Sequence, residues 1–155
     1  QPILVDLVHV HRGYVVDATR MYSIGELLEP WDQRLSDMIE VSDRVVTSLG
    51  RGDDCSKAWE IGSQLAESMG HSEHLMGMKP DQSKFLGHSV GLQLDESPVV
   101  AKGFDRPLEN NGVMAIEPKL VYSDGSIGTE DTWLQTSEGL ERLSLHNKGT
   151  SITVV

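Results

Sequence analysis

The sequence predicts an α+β fold. Strand-like segments occupy both ends of the chain, two amphipathic helical segments stand between them, and turn residues punctuate the second half at short intervals. Residues 2–10 and 14–21 are rich in strand-forming side chains. His11-Arg12-Gly13 between them is a turn signal, so the pair reads as a hairpin. Residues 30–49 read as a helix. Pro30 suits a first-turn position, Gly50 suits the C-terminal cap, and Trp31, Leu35, Met38, Val45, Val46 and Leu49 recur at helical spacing. A second helix is expected over 54–69, with Asp54 as N-cap and Gly70 as C-cap. Ala58, Ile61, Leu65 and Met69 form its expected buried stripe.

Residues 71–83 read as a polar loop containing Gly77 and Pro80. Strand-like segments follow at 84–94, 113–122, 127–136 and 150–155. Asn110-Asn111-Gly112, Ser123-Asp124-Gly125 and Ser137-Glu138-Gly139 supply turn residues between and after them. No repeat, low-complexity tract or linker interrupts the 155 residues, which fit one domain or a large part of one. A chain of this length buries roughly 70% of its unfolded surface, enough for a core.

Charge narrows the function classes. The formal net charge of -11 argues against nucleic acid as a partner, since little here neutralises a run of phosphates. It argues equally against an anionic membrane surface. A solvated acidic surface is one reading of that charge; carboxylates that await cations are the other. Cys55 is the single cysteine, so no internal disulfide forms and a reducing, cytoplasmic setting is expected. No run approaches the length of a membrane span. The opening Gln1-Pro2-Ile3-Leu4-Val5-Asp6 lacks the pattern of a signal peptide. It also lacks Met and leads straight into strand-like sequence, so the chain reads as part of a longer one.

Asp6 and Asp17 lie on the two arms of the expected hairpin. In a simple register, with Val10 opposite Gly13 at the turn, they face each other across the strands. Like charges directly opposite are destabilising, and a cation between them resolves the conflict. The alternative is a register shifted by a bulge with both carboxylates solvated.

Further motifs follow in order. Residues 87–98 read Gly-His-Ser-Val-Gly-Leu-Gln-Leu-Asp-Glu-Ser-Pro, residues 116–118 read Ile-Glu-Pro, and residues 128–132 read Gly-Thr-Glu-Asp-Thr. Together with Asp6, Gly13-Tyr14, Asp17 and Thr19-Arg20, this order and spacing resembles the pita-bread metallopeptidases, the family of prolidase, aminopeptidase P and methionine aminopeptidase. Each motif alone is weak, but five in order are specific, and they cover nearly the whole chain.

The resemblance implies a pita-bread fold. Residues 1–155 would be the metal-binding, C-terminal portion of the catalytic domain, a curved antiparallel sheet with covering helices, and the N-terminal part of that domain would lie outside them. It implies two divalent metal ions held by Asp6, Asp17, His88, Glu117 and Glu130. Asp17 and Glu130 would bridge the two ions, Asp6 would complete one site, and His88 with Glu117 the other. Four carboxylates and one imidazole are a hard, oxygen-rich set that suits Mn²⁺ best, with Co²⁺, Fe²⁺ or Zn²⁺ as alternatives. Such a pair of ions shares a water, lowers its pKa, and presents a hydroxide to the scissile carbonyl. Glu117 is the expected proton carrier between that water and the leaving amine. Four carboxylates this close cannot all stay ionised without cations, so the metal-free site is expected to be loose. The implied activity is an Xaa-Pro dipeptidase or aminopeptidase acting on a peptide or small amide. The resemblance also leaves two other readings: a non-peptide C–N hydrolase, as in creatinase, or a silent binding homologue. A homodimer is common among such relatives.

The chain departs from the family pattern at three positions. Prolidase-like members usually carry a histidine four residues before the ligand histidine and another seven after it. Here those positions hold Lys84 and Asp95, a prospective ion pair that would reshape the substrate pocket. Ser89 replaces a usual glycine. A substrate-facing histidine of the family belongs to the half of the domain that precedes Asp6. Cutting a pita-bread sheet in two is also expected to expose an apolar edge.

The remaining histidines are assigned no ligand role. His9 and His11 alternate away from the face of Asp6, and His71, His74 and His146 sit in polar, loop-like surroundings. Cys55 reads as a structural thiol without a histidine partner. Met69, Met76 and Met78 read as packing residues, and Trp31, Trp59 and Trp133 as core or interface anchors.

Overall fold

The computed structural model describes residues 1–144 and 149–155. Among the described residues, ten strands and two helices follow one another as β1 (Pro2–His11), β2 (Tyr14–Ser23), α1 (Trp31–Gly50), α2 (Cys55–Ser68), β3 (Phe85–Ser89), β4 (Glu96–Ala101), β5 (Val113–Ile116), β6 (Lys119–Tyr122), β7 (Gly125–Gly128), β8 (Asp131–Thr136), β9 (Gly139–Arg142) and β10 (Ile152–Val154). His146 lies outside the described residues. Among the described residues, no helix is long and apolar enough to cross a membrane.

The strands form a three-stranded sheet in the order β1-β2-β10, a five-stranded sheet in the order β4-β3-β5-β8-β9, and a two-stranded β6-β7 ribbon. β1 pairs with β2 through Arg12-Gly13, a two-residue turn with positive φ at both residues (52° and 90°), which suits the twist of a tight hairpin. The turn is flanked by His11 opposite Tyr14, so the expected register is corrected by two residues. Asp6 faces Thr19, and Asp17 faces Val8. Because a shift of two keeps the face, Asp6 and Asp17 still point to the same side as diagonal neighbours.

The helices appear where expected. The buried stripe of α1 is Trp31, Leu35, Met38, Val41, Val45 and Leu49. That of α2 differs from expectation: Cys55, Ala58, Gly62 and Ala66 lie deepest, while Ile61, Leu65 and Met69 are half-buried at its flanks. The cause is a close approach. A Cβ on Gly62 would come within 2.6 Å of Leu86 and 2.7 Å of Val45, so the helix turns its smallest residues inward.

Several strand expectations need correction. The segment 113–122 is two strands, β5 and β6, separated by Glu117-Pro118. The segment 127–136 is likewise two, β7 and β8, separated by Thr129-Glu130. At both breaks the chain passes from the five-stranded sheet to the ribbon or back again. β4 was hidden by Pro98, which cannot donate to a ladder; β4 is an edge strand, where proline is tolerated. β9, of which only Gly139 was assigned, to a turn, is the opposite edge. β1 is an edge strand of the three-stranded sheet, and Leu7, Val8 and Val10 on it are exposed.

Candidate metal centre

The five expected ligands come from five separate places in the chain and converge. Asp17 lies in the middle of β2 and His88 in β3. Glu117 and Glu130 occupy the two crossings between sheets, and Asp6 projects from β1. Asp17, His88, Glu117 and Glu130 are buried, whereas the Asp6 side chain is 48% exposed.

Backbone ties hold this arrangement. The Asp17 amide donates to Thr132 Oγ1 at 3.0 Å, and the same hydroxyl donates to the Asp17 carbonyl at 2.7 Å, which fastens β2 to β8. The Thr19 amide donates to the Glu130 carbonyl at 3.2 Å, and Thr19 Oγ1 donates to Glu130 Oε2 at 2.6 Å. Arg20 donates to the carbonyls of Thr19 and Glu130, each at 2.8 Å, and pairs with Asp131 at 2.7 Å. The Glu117 amide donates to the Leu86 carbonyl at 3.0 Å, so Glu117 stays registered beside His88 although β5 has ended.

Asp17, His88 and Glu130 each place a ligand atom within 4.8 Å of the others. His88 Nε2 is 3.2 Å from Glu117 Oε1 and 3.9 Å from Asp17 Oδ2. Asp17 Oδ1 is buried with no hydrogen-bond partner, an exposed cost unless a cation or donor meets it. A hard, mixed carboxylate and imidazole set with an orphaned buried oxygen fits a divalent ion.

The electrostatics follow from crowding. Burial, reinforced by Glu130 and Asp6, pushes the Asp17 carboxyl up to about 7. Glu130 is also raised, chiefly by burial, against the opposing effect of Lys119. Burial disfavours the charge of Glu117, but His88 and Lys119 outweigh it and hold the carboxyl below its usual value. Burial likewise disfavours protonated His88; the hydrogen bonds to Glu117 and the Ser89 carbonyl, with the Asp95 charge, reverse this and raise it to about 9.

Sequence reasoning missed Lys119. Its Nζ donates to Glu117 Oε2 at 2.8 Å and to Glu130 Oε2 at 2.9 Å, and lies 3.4 Å from Asp6 Oδ2. Burial alone would lower the Lys119 pKa, but Glu130 and Glu117 raise it above the ordinary lysine value. The signal was available: Lys119 stands two residues after Glu117, the spacing that returns a side chain to the same face of an extended chain.

The expected ion pair between Lys84 and Asp95 is not formed. Lys84 is exposed, and Asp95 turns instead to His88 Nδ1 at 3.4 Å, which also lies 3.2 Å from the Ser89 carbonyl. His9 and His11 are exposed, away from the centre. His71 and His74 are more structural than their polar surroundings implied. His71 bonds Asp37 at 2.7 Å, and His74 bonds the Val121 carbonyl at 2.9 Å while stacking on Tyr122.

The sequence model of metallopeptidase family M24 matches residues 1–137. The chain belongs to metallopeptidase family M24. It is 25% identical over 143 residues to a Xaa-Pro dipeptidase of Pyrococcus furiosus, covering 92% of this chain and 39% of that protein. It is 27% identical over 145 residues to a Xaa-Pro dipeptidase of Lactobacillus delbrueckii subsp. lactis, covering 90% of this chain and 36% of that protein. Its fold matches an X-Pro aminopeptidase from Thermotoga maritima with a TM-score of 0.88 at 25% identity, covering 99% of this chain and 42% of the other. A methionine aminopeptidase from Rickettsia prowazekii matches with a TM-score of 0.76 at 17% identity, covering 93% of this chain and 64% of the other. The fold is therefore the pita-bread fold expected from the motifs. The chain spans about two fifths of the length of these M24 dipeptidases.

Proposed function

We propose that the chain is the metal-binding part of a metal-dependent peptidase acting on Xaa-Pro substrates. The observation that carries this reading is the convergence of Asp17, His88 and Glu130 around an orphaned Asp17 oxygen, in a member of family M24. The similarity to proteins named Xaa-Pro dipeptidase supports the substrate class.

Asp17 and Glu130 supply anionic oxygen ligands, and His88 supplies a neutral nitrogen once its proton leaves. A bound divalent ion, with Mn²⁺ well suited to this donor set, would polarise the scissile carbonyl and acidify a water. Glu117 would take the proton from that water and pass it to the leaving amine; His88 and Lys119 favour its ionised form. Its two oxygens already address His88 and Lys119, so it is oriented before substrate arrives. Asp95 and the Ser89 carbonyl hold the far side of the His88 ring.

The test is release of proline from Xaa-Pro dipeptides, and of the first residue from Xaa-Pro-Xaa tripeptides, with Mn²⁺ and with chelator. Chelator-sensitive turnover is expected and is lost in Glu117→Gln. Bound metal without any peptide turnover by the intact parent chain would overturn the peptidase reading and leave non-peptide C–N hydrolysis or a silent binding homologue in its place.

A further inference from the structure

We propose that the Lys119 ammonium takes the place of one of two metal ions, so that this centre binds a single divalent ion at Asp17, His88 and Glu130. The inference rests on the metal-dependent reading above and concerns how many ions the site accepts.

Three of the five expected ligands already share a cation. Lys119 Nζ contacts Glu117, Glu130 and Asp6 within 3.4 Å, and its side chain is only 15% exposed. Asp6, the most exposed carboxylate of the group, has Lys119 as its partner. Asp17, His88 and Glu130 each place a donor atom within 4.8 Å of the others. Both contacts to the Glu130 carboxylate, from Thr19 and from Lys119, fall on Oε2, which leaves Oε1 to serve an ion shared with Asp17 and His88.

Charge bears on the count as well. Asp6, Asp17, Glu117 and Glu130 carry four negative charges when ionised, and Lys119 offsets one, which reduces the pull on a second divalent ion. An ammonium held among these carboxylates also repels a second divalent ion directly. Lys119 is not free to leave cheaply. It sits in β6 opposite Gly128, a Cβ on Gly128 would lie 2.6 Å from Lys119 Cγ, and its side chain is largely buried.

The experiment is equilibrium dialysis of the purified protein against Mn²⁺ at neutral pH, with bound metal counted by mass spectrometry. Wild type is expected to hold one ion per chain. Lys119→Met, which keeps the stem and removes the charge, is expected to hold two. Lys119→Arg, which keeps the charge, is expected to hold one. Two ions in wild type would overturn the assignment of Lys119 while leaving the metal-dependent reading intact. No bound ion in wild type or in a folded Lys119→Met would overturn both. Two ions in Lys119→Arg would trace the effect to shape and overturn the charge argument. The wild-type count does not depend on any variant folding.

Discussion

Thr19 and Glu130 are joined twice, backbone to backbone at 3.2 Å and hydroxyl to carboxylate at 2.6 Å. This double link is a bridge between β2 and the crossing into β8, and it fixes the buried glutamate against the strand that carries Asp17. Thr19→Val keeps the shape and removes the hydroxyl. A hydrogen bond to a charged group contributes about 1.5–3 kcal/mol, and the low end is expected because Lys119 still donates to the same oxygen. Mn²⁺ affinity is expected to fall by roughly 10–100-fold, the usual effect of losing a ligand's supporting partner. Thr19→Ser should retain most of both. Titration calorimetry with Mn²⁺ checks this, and equal losses in Val and Ser would remove the hydroxyl from the explanation.

Much of this site was legible in the sequence, for a specific reason. Asp6, Asp17, His88, Glu117 and Glu130 stand in short motifs whose order survives even where strand boundaries are misread. The face shared by Asp6 and Asp17 survived a two-residue error in register because side-chain period is two. Pro118 was a signal for the break at Glu117, but nothing comparable marks Glu130, since an uninterrupted strand pattern looks the same whether the chain stays in one sheet or crosses to another. The role of Asp95 was misjudged for a similar reason. The resemblance paired it with Lys84, but only the fold shows that His88 is its neighbour. The two-residue spacing placed Lys119 on the face of Glu117, but its contacts with Asp6 and Glu130 are visible only in the fold.

Metal should stabilise the fold as well as act in it. An ion that binds only the native state at 100 times its Kd adds about 2.7 kcal/mol. For a domain of this size that corresponds to a rise in Tm of about 5–10 °C. Saturating Mn²⁺ is expected to give such a rise, and excess chelator to reverse it. An unchanged Tm would mean that the crowded carboxylates of Asp17 and Glu130 are already relieved without metal.

Cys55 should be chemically silent in the folded state. It is fully buried at the start of α2, and burial, only partly opposed by Arg106, raises its thiol to about 11. Thiol-reactive reagents act on the thiolate, so labelling at pH 8 is expected to wait for unfolding. The sign of the pH effect follows. The native thiol keeps its proton above the ordinary value of 9.0, so its contribution to stability is complete below pH 9 and is lost as pH rises toward 11. Cys55→Ala should flatten that alkaline slope in urea titrations. Rapid stoichiometric labelling of native protein would contradict this picture.

Arg20 is expected to be the costliest charged residue to remove. It joins the carbonyls of Thr19 and Glu130 to the Asp131 carboxylate, and both side chains of the pair are buried. Breaking a buried pair by deleting one partner costs about 3–5 kcal/mol, because the remaining charge is stranded. Arg142 still reaches the other Asp131 oxygen at 3.1 Å, which places Arg20→Met near the lower figure. Even that is a large fraction of the roughly 5–15 kcal/mol that holds a domain together. The loss should also loosen Glu130, since its carbonyl is one of the two that Arg20 holds. Arg20→Met is therefore expected to shift the urea midpoint and weaken Mn²⁺ binding together. Arg20→Lys should recover little, because a point charge cannot span the two carbonyls and the carboxylate at once. Full recovery in the lysine variant would show that charge alone, and not the fork of the guanidinium, positions Glu130.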